Sequence, residues 1–351
     1  MTAVELGLPA IGALDGVPTT DQKQTAKDFT SDQEVRWCPG CGDYAILATM
    51  RGFLPELGLR RENIVFVSGI GCSSRFPYYL DTYGMHSIHG RAPAIATGLS
   101  VSRPDLSVWV VTGDGDALSI GGNHLMHALR RNVNLKILLF NNRIYGLTKG
   151  QYSPTSEVGK RTKSTPFGSL DHPFNPVSLA LGAEATFVAR ALDSDRRGLS
   201  AVLRAAARHR GTALVEIYQD CPIFNDGSFD VLRRGEDAES RLIPLEAGAP
   251  IRFGKDGALS VVREGFGLRV AKSDEVAESE VVVHDPADLQ LAFALSRLSD
   301  QDLTHAVTGV FRSVSRPTYD DAVRAQVAGV REAQPGDLGK LLRGRDTWTV
   351  A

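Results

Sequence analysis

The chain has 351 residues, of which 42% are hydrophobic, and this is enough to bury the core of one large domain or of two. Its 39 lysines and arginines nearly balance its 41 aspartates and glutamates, so its charge does not favour binding to nucleic acid or to a membrane surface. No run of apolar residues is long enough to predict a membrane span. The N-terminus lacks the basic and apolar pattern of a secretory signal, and we therefore expect a cytoplasmic protein.

Regular hydrophobic patterns begin only after a polar N-terminal stretch. Residues 1–33 show no periodicity, and we interpret them as an arm. From Trp37 onward, short runs rich in β-branched and aromatic residues predict five buried strands, at 64–68, 107–112, 135–140, 184–189 and 213–219. Helical patterns lie between several of them, at 92–100, 123–131 and 196–208.

The alternation of strands and helices predicts the fold class. We expect an α/β domain over residues 34–230, built on a parallel sheet with helices on both faces. Beyond residue 230 the alternation weakens, because 231–280 is charged with short valine-rich pieces and only 285–298 has a helical pattern. We therefore interpret 231–351 as an irregular C-terminal extension.

Two polar motifs follow neighbouring strands of this predicted sheet. Gly113-Asp114-Gly115-Asp116 comes directly after the strand at 107–112, and Asn141-Asn142 ends the next strand. The carboxyl ends of parallel strands are where open α/β sheets bind ligands. The Asp114 carboxylate, the Asn142 amide oxygen and the Ile144 carbonyl are oxygen ligands suited to Mg²⁺. A lone GDG often marks only a turn, but its pairing with Asn-Asn looks like the thiamine-diphosphate-binding motif; a different nucleotide-phosphate site is the alternative.

All four cysteines of the chain lie in loops rich in glycine or proline. Cys38 and Cys41 form a CxxC motif, Cys72 follows the strand at 64–68, and Cys221 follows the strand at 213–219. In a reducing compartment they are not expected to form disulfides. Four thiols fit a [4Fe–4S] cluster or a tetrahedral zinc site, with a redox pair or inert buried thiols as further alternatives.

Taken in order, these segments resemble a known family. The motifs are WCPGCGD, GIGCSSR, HGR, GDGDALSIGGNH, NNRIYGLTKGQ and DCPIFND. Together they are similar to the β subunit of 2-oxoacid:ferredoxin oxidoreductases, a thiamine-diphosphate-binding fold, over about residues 34–230. The resemblance does not extend to the arm or to the region after 230.

The resemblance implies a role for each matching residue. Cys38, Cys41, Cys72 and Cys221 match the ligands of a [4Fe–4S] cluster, and Asp114, Asn142 and Ile144 match the magnesium ligands. Further positions match residues that contact thiamine diphosphate: Ile70, Gly71, Cys72, Ser73, His89, Gly113, Gly115, Asp116, Gly146 and Leu147. His89 is a candidate contact to the diphosphate or the substrate, and Arg75 is a candidate partner of a second substrate carboxylate.

The implied activity is the coenzyme-A-dependent oxidative decarboxylation of a 2-oxoacid, with electrons passed to ferredoxin. Thiamine enzymes need a carboxylate against the aminopyrimidine, and we identify no second domain in this sequence that we expect to supply one. The resemblance implies that an α subunit provides it, in an αβ or α2β2 assembly. Arg75 and the resemblance favour 2-oxoglutarate over pyruvate, a branched-chain 2-oxoacid or an aryl pyruvate. The alternatives are a non-redox thiamine-diphosphate decarboxylase with structural zinc and a non-catalytic iron–sulfur electron-transfer subunit.

Overall fold

The computed structural model describes residues 12–235, 237–299, 301–334, 336–348 and 350. Its strands are β1 Ile64–Ser68, β2 Tyr83–His86, β3 Ser107–Gly113, β4 Lys136–Asn141, β5 Phe187–Leu192, β6 Ala213–Tyr218, β7 Leu242–Pro244, β8 Arg252–Phe253, β9 Leu259–Glu264, β10 Gly267–Lys272 and β11 Ala306–Ser313. Its α-helices are α1 Asp43–Phe53, α2 Ala92–Ser102, α3 Asp114–Leu118, α4 Gly122–Arg131, α5 Pro176–Gly182, α6 Arg196–Arg208, α7 Ala238–Arg241, α8 Leu289–Ser296, α9 Tyr319–Ala333 and α10 Leu338–Arg343.

Eight strands form one mostly parallel sheet in the order β2-β1-β3-β4-β6-β5-β11-β7. The strands from β2 to β5 in this order are parallel to their neighbours, and β11 runs antiparallel to β5. Every residue of β1, β4, β5 and β6 is buried, as expected of strands covered on both faces. The predicted α/β fold class with a parallel sheet is therefore confirmed.

Helices cover both faces of this sheet, as the sequence predicted. One apolar cluster contains residues of α1 and α6 packed on the sheet, and a second contains residues of α2, α4, α5 and α8 on the opposite face. The predicted helix at 196–208 has the bounds of α6. The fourth predicted strand begins three residues late, at Phe187, because α5 ends at Gly182 and Glu184 then adopts a left-handed backbone conformation with φ 57°.

The described part of the predicted arm lies against its own domain. Thr19 forms an isolated antiparallel bridge with Leu59, and Thr30 forms another with Leu80. The side chain of Phe29 is fully buried. Residues 12–33 therefore add a layer to the domain, while 1–11 lie outside the described residues.

The expectation of an irregular region after residue 230 is wrong for 242–313, and also for the helices α9 and α10 that follow. Strands β7 and β11 extend the main sheet, β8, β9 and β10 form a small antiparallel sheet, and α8 occupies the predicted helix at 285–298. Strand β11 was not predicted, because it does not alternate regularly. Gly309 has a φ of 100°, and the register with β5 shifts between Val310 and Arg312. No helix in the described parts of the chain is long and apolar enough to cross a membrane.

Candidate cofactor and cluster site

The motifs after β1, β3 and β4 come together in one cavity at the carboxyl edge of the sheet, which we call the cofactor pocket. This narrow cavity has a volume of about 50 Å³. All of the predicted cofactor and magnesium residues line it: Ile70, Gly71, Cys72, Ser73, His89, Gly113, Asp114, Gly115, Asp116, Asn142, Ile144, Gly146 and Leu147. Tyr145 and Thr148 also line it; both lie in the motif NNRIYGLTKGQ, but neither was predicted to contact the cofactor.

Asp114 begins α3, with its carboxylate buried at the pocket wall. Thr155 donates a hydrogen bond to its Oδ2 at 2.6 Å, and Ser153 donates to the same oxygen at 2.5 Å. Both hydroxyls lie on Oδ2, so Oδ1 is the oxygen that a metal would take. Burial raises the pKa of Asp114. A divalent cation would favour the ionised form of this carboxylate. The oxygen atoms of Asp114, Asn142 and Ile144 are ligands of the kind that Mg²⁺ prefers, so these residues fit a magnesium site.

Asn142 is fixed by polar contacts on both sides of its side chain. Its Nδ2 donates to Oε1 of Gln219 at 2.8 Å, and its Oδ1 accepts from the backbone N–H of Ile144 at 3.2 Å. Its backbone carbonyl accepts from Nδ2 of Asn225 at 2.8 Å. The structure thus brings Asn142, Ile144 and Asp114 to one pocket. Gln219 and Asn225 are supporting residues to which the sequence assigned no role, although Asn225 lies in the motif DCPIFND.

Asp116 anchors the loop that carries His89. Its Oδ1 accepts from the backbone N–H of Gly90 at 2.9 Å and lies 2.8 Å from Nδ1 of His89. Its Oδ2 accepts from the hydroxyl of Thr112 at 2.9 Å. A β-carbon on Gly69 would lie 1.8 Å from Oδ2 of Asp116, so this position requires glycine. The carboxylate therefore holds the imidazole of His89 at the pocket wall, and Nε2 is its free end for a ligand contact.

The four cysteines line a second cavity of about 240 Å³, which we call the cysteine cavity. All four thiols are free. Cys72, Asn142, Gly146 and Leu147 line both this cavity and the cofactor pocket, so the two sites share a wall. The structure therefore joins cysteines that lie far apart in the sequence.

The environment of the thiols suits a bound cationic group. Burial raises the pKa of Cys72 to about 11, and burial together with the nearby Asp43 carboxylate raises the pKa of Cys41. Burial also raises the pKa of Cys221, against which the backbone N–H groups of Phe224 and Ile223 act. Thiolates become favourable here when a cluster or a metal ion neutralises them. Within the described residues, no three His, Cys, Asp or Glu side chains form a ready-made single-ion site.

Arg75 lies on the cysteine side of the shared wall. Its Nη1 donates to the carbonyl oxygen of Arg36 at 3.0 Å, and its side chain lines the cysteine cavity. Its positive charge acts to lower the pKa of Cys72, against the larger effect of burial. The structure thus places Arg75 close to the proposed cluster ligands, and the substrate role predicted for it stays a prediction.

Comparisons with known proteins identify the family of this chain. Residues 69–217 match the family described as the thiamine pyrophosphate enzyme C-terminal TPP-binding domain. An alignment of 356 residues, covering 100% of this chain and 95% of the relative, gives 74% identity to the 2-oxoglutarate oxidoreductase subunit KorB of Mycobacterium tuberculosis. The 2-oxoacid:ferredoxin oxidoreductase subunit beta of a Sulfolobus species is 46% identical over 54% of this chain and 63% of the relative.

A solved structure extends the likeness to the fold. The 2-oxoglutarate:ferredoxin oxidoreductase of Magnetococcus marinus, determined with 2-oxoglutarate, coenzyme A and succinyl-CoA bound, matches with a TM-score of 0.73 and 36% identity. The match covers 92% of this chain and 96% of that chain. The chain therefore belongs to the β subunits of the 2-oxoacid:ferredoxin oxidoreductase family, oxidoreductase subunits that act together with a partner subunit.

Proposed function

We propose that this subunit, with its partner, catalyses the coenzyme-A-dependent oxidative decarboxylation of 2-oxoglutarate to succinyl-CoA and passes the electrons singly through a [4Fe–4S] cluster to ferredoxin. The observation that carries this proposal is the wall shared by the cofactor pocket and the cysteine cavity, to which Cys72 and Gly146 belong. A cofactor site and a cluster site that share a wall leave a short path for electrons.

The proposed roles in binding magnesium and the diphosphate fall on residues of this chain. Asp114 Oδ1, the amide oxygen of Asn142 and the carbonyl of Ile144 would hold Mg²⁺ and with it the diphosphate. Bound thiamine diphosphate supplies an electron sink for decarboxylation. Because the carboxylate of Asp116 accepts from Nδ1 of His89, Nε2 is the nitrogen that faces a ligand; the neutral ring would accept there, and the ring protonated at both nitrogens would donate to the diphosphate or the substrate.

The four cysteines would hold the cluster. Cys38 is exposed and Cys41 is buried, so the proposed cluster extends from the interior toward the surface of this chain. Because Cys72 lines both cavities, it would bind the part of the cluster nearest the cofactor. Cys38 would bind the part nearest the solvent, where an external carrier such as ferredoxin can accept electrons.

We propose that a partner α subunit completes the site and supplies the glutamate that faces the aminopyrimidine. Two features of this chain support that proposal. The cofactor pocket of about 50 Å³ is far smaller than the 300–1,000 Å³ usual for ligand sites. Exposed apolar side chains also surround the region of β2 and the pocket, namely Tyr83, Met85, Ile88, Ile120 and Leu147. We propose an αβ or α2β2 assembly in the cytoplasm, where free cysteines stay reduced.

The substrate proposal rests on the names of the relatives and on Arg75. The 74% identical relative and the matching solved structure are both named for 2-oxoglutarate. A second carboxylate needs a cation, and Arg75 is the residue that we propose for it. Pyruvate and branched-chain 2-oxoacids lack this carboxylate, so they would gain nothing from that contact.

The experiment is an anaerobic purification of the chain with its partner, followed by iron, sulfide and zinc analysis and by EPR before and after 2-oxoglutarate and coenzyme A. We expect about four irons and four sulfides per chain and a spectral change on substrate addition. The isolated chain, lacking the partner glutamate, should not turn over. Turnover by the isolated chain would contradict the partner proposal.

Other outcomes of the same experiment identify the competing functions. Zinc without sulfide would indicate a non-redox thiamine-diphosphate decarboxylase with a structural metal site. A cluster without bound thiamine diphosphate would indicate an electron-transfer subunit. A cluster that responds to pyruvate and not to 2-oxoglutarate would keep the family and overturn the substrate.

A further inference from the structure

A chain of hydrogen bonds leads from the carboxylate of Asp114 across the buried sheet. The hydroxyl oxygen of Thr155 lies 2.6 Å from Oδ2 of Asp114 and 2.9 Å from Oδ1 of Asn141. Asn141 then donates from Nδ2 to Oε1 of Glu216 at 2.7 Å. The other carboxylate oxygen of Glu216 accepts from Nε of Arg190 at 2.7 Å. The side chains of Thr155 and Asn141 thus connect the proposed magnesium ligand to a charged pair on β5 and β6.

Several neighbouring side chains hold the pair of Arg190 and Glu216 in place. The side chains of Arg190 and Glu216 are each 1% exposed. Nη1 of Arg190 donates to the hydroxyl of Ser299 at 2.7 Å, and the guanidinium lies over the rings of Tyr218 and Phe311, 5.0 Å and 5.5 Å from their centroids. Because Arg190 is fixed by several neighbours, it fixes the carboxylate of Glu216 in turn.

A buried ion pair is weak evidence of a contribution to stability, because desolvation can cost more than the attraction returns. Here the pair interrupts two apolar strands, Phe187–Leu192 and Ala213–Tyr218. It also lines a cavity of about 490 Å³ instead of filling the core. Close packing therefore does not by itself account for the pair, and the contacts that lead from it to Asp114 suggest a positioning role.

The pair fixes the orientation of the groups between it and Asp114. The carboxylate of Glu216 can only accept, so it takes the amide NH2 of Asn141 and turns Oδ1 toward Thr155. The backbone N–H of Arg143 also donates to this Oδ1 at 3.2 Å. The single hydroxyl hydrogen of Thr155 is shared between Oδ1 of Asn141 and Oδ2 of Asp114, and the shorter contact is to Asp114. Asn141 thereby holds the hydroxyl beside Oδ2 of Asp114, which leaves Oδ1 of Asp114 for the metal.

We propose that Arg190 and Glu216 are positioning residues for the magnesium-binding carboxylate of Asp114 and act on it through Asn141 and Thr155. This inference rests on the proposed function, since it requires Asp114 to bind Mg²⁺. Neither member of the pair lines the cofactor pocket.

The test is a Mg²⁺ titration of the assembled complex, stripped with a chelator and saturated with thiamine diphosphate, followed by tryptophan fluorescence or calorimetry. Glu216→Gln and Thr155→Val should each weaken the apparent Mg²⁺ affinity about 10-fold, the usual effect of removing a residue that orients a metal ligand. Thr155→Ser retains the hydroxyl and should restore the affinity. The double variant should lose little more than either single variant, because both changes break one chain of contacts.

Lys136→Met is the matched control. It removes a buried charge from the opposite end of β4 and should leave the Mg²⁺ affinity unchanged. If Glu216→Gln does not assemble, Arg190→Lys, which retains the charge but loses the planar hydrogen-bonding geometry, replaces it and should weaken the affinity in the same direction. Unchanged affinity, or fully additive losses in the double variant, would overturn the inference.

Asp114→Asn separates this inference from the proposed function. If Asp114→Asn weakens Mg²⁺ binding while the Glu216 and Thr155 variants do not, the positioning role fails and the magnesium site stands. If Asp114→Asn leaves the affinity unchanged, the magnesium site itself is assigned wrongly, and the positioning role fails with it.

Discussion

The backbone of Gly146 passes so close to Cys72 that a β-carbon on residue 146 would lie 3.5 Å from the cysteine Sγ. The same β-carbon would lie 3.7 Å from Sγ of Cys221. Gly146 therefore lies at the wall between the cofactor pocket and the cysteine cavity, facing two of the four thiols. A side chain here would enter the space that a cluster needs.

We expect Gly146→Ala to lower the iron and sulfide content of the purified complex, because the added methyl group occupies part of the cysteine cavity. Iron and sulfide assays after anaerobic purification measure this effect. Gly122→Ala is the control, since nothing lies within 4 Å of the β-carbon that it adds. A Gly146→Ala protein with a full cluster would contradict the placement of the cluster beside this residue.

Asp116 provides a second test, since its carboxylate holds both the His89 ring and the Gly90 amide. Asp116→Ala leaves that buried N–H without an acceptor and should lower the free energy of unfolding by about 1–3 kcal/mol. It should also weaken thiamine diphosphate binding, because His89 loses its fixed orientation. Asp116→Asn retains an acceptor oxygen and should recover most of both losses. Equal thiamine diphosphate affinity in all three proteins, measured by calorimetry, would show that His89 does not contact the cofactor.

Much of the pocket could be predicted because parallel strands end at one edge of a sheet. Asp114 and Asn142 each follow a buried strand, so their meeting required only the correct order of β3 and β4. The shared position of Cys72 and Cys221 followed from the same rule for β1 and β6. These predictions used local patterns and one general property of α/β folds.

The supporting residues could not be predicted in this way. Ser153 and Thr155 lie in an irregular loop, whose path depends on tertiary contacts that leave no periodic pattern. Glu216 and Arg190 are charged residues within apolar strands, and their pairing depends on the neighbouring register of β5 and β6. Sequence patterns therefore predicted residues that line the pocket but not the residues that hold them in place.

Arg75 allows the cluster role and the substrate role to be measured separately. Its positive charge lies near Cys72, and removing it by Arg75→Gln should make reduction of the cluster harder. For a change of about 1 kcal/mol, the midpoint potential of a one-electron couple becomes more negative by roughly 40 mV. Redox titration followed by EPR measures this shift. An unchanged potential would contradict the position of the cluster beside Arg75.

Steady-state kinetics of the same variant tests the substrate contact. If Arg75 binds the second carboxylate, KM should rise for 2-oxoglutarate and stay unchanged for pyruvate. Arg75→Lys retains the charge and should keep the potential near its original value, while losing the bidentate contact to a carboxylate. An unchanged KM for 2-oxoglutarate in Arg75→Gln would remove Arg75 from the substrate site without affecting the cluster prediction.

The stability of the chain should depend on pH through His209, which lies far from the pocket at the C-terminal end of α6. Its Nε2 lies 2.7 Å from the hydroxyl of Thr186. Burial, with the nearby charge of Lys136, lowers the pKa of His209 to about 3. In the unfolded chain His209 binds a proton near pH 6.5, whereas in the folded chain it stays neutral at that pH. The free energy of unfolding is therefore highest above pH 6.5 and decreases as the pH falls below it.

Between about pH 6.5 and pH 5 the free energy of unfolding should fall by roughly 1–2 kcal/mol. The helix C-terminus favours a positive charge and so partly offsets the cost of protonating the buried ring. His209→Gln retains a polar partner for Thr186 and removes the titration, so its urea-unfolding free energy should fall less over this range. His172→Gln, at an exposed histidine, serves as the control and should behave like the unmodified chain. An equal fall in all three proteins would show that His209 protonates as readily in the folded chain as in the unfolded one.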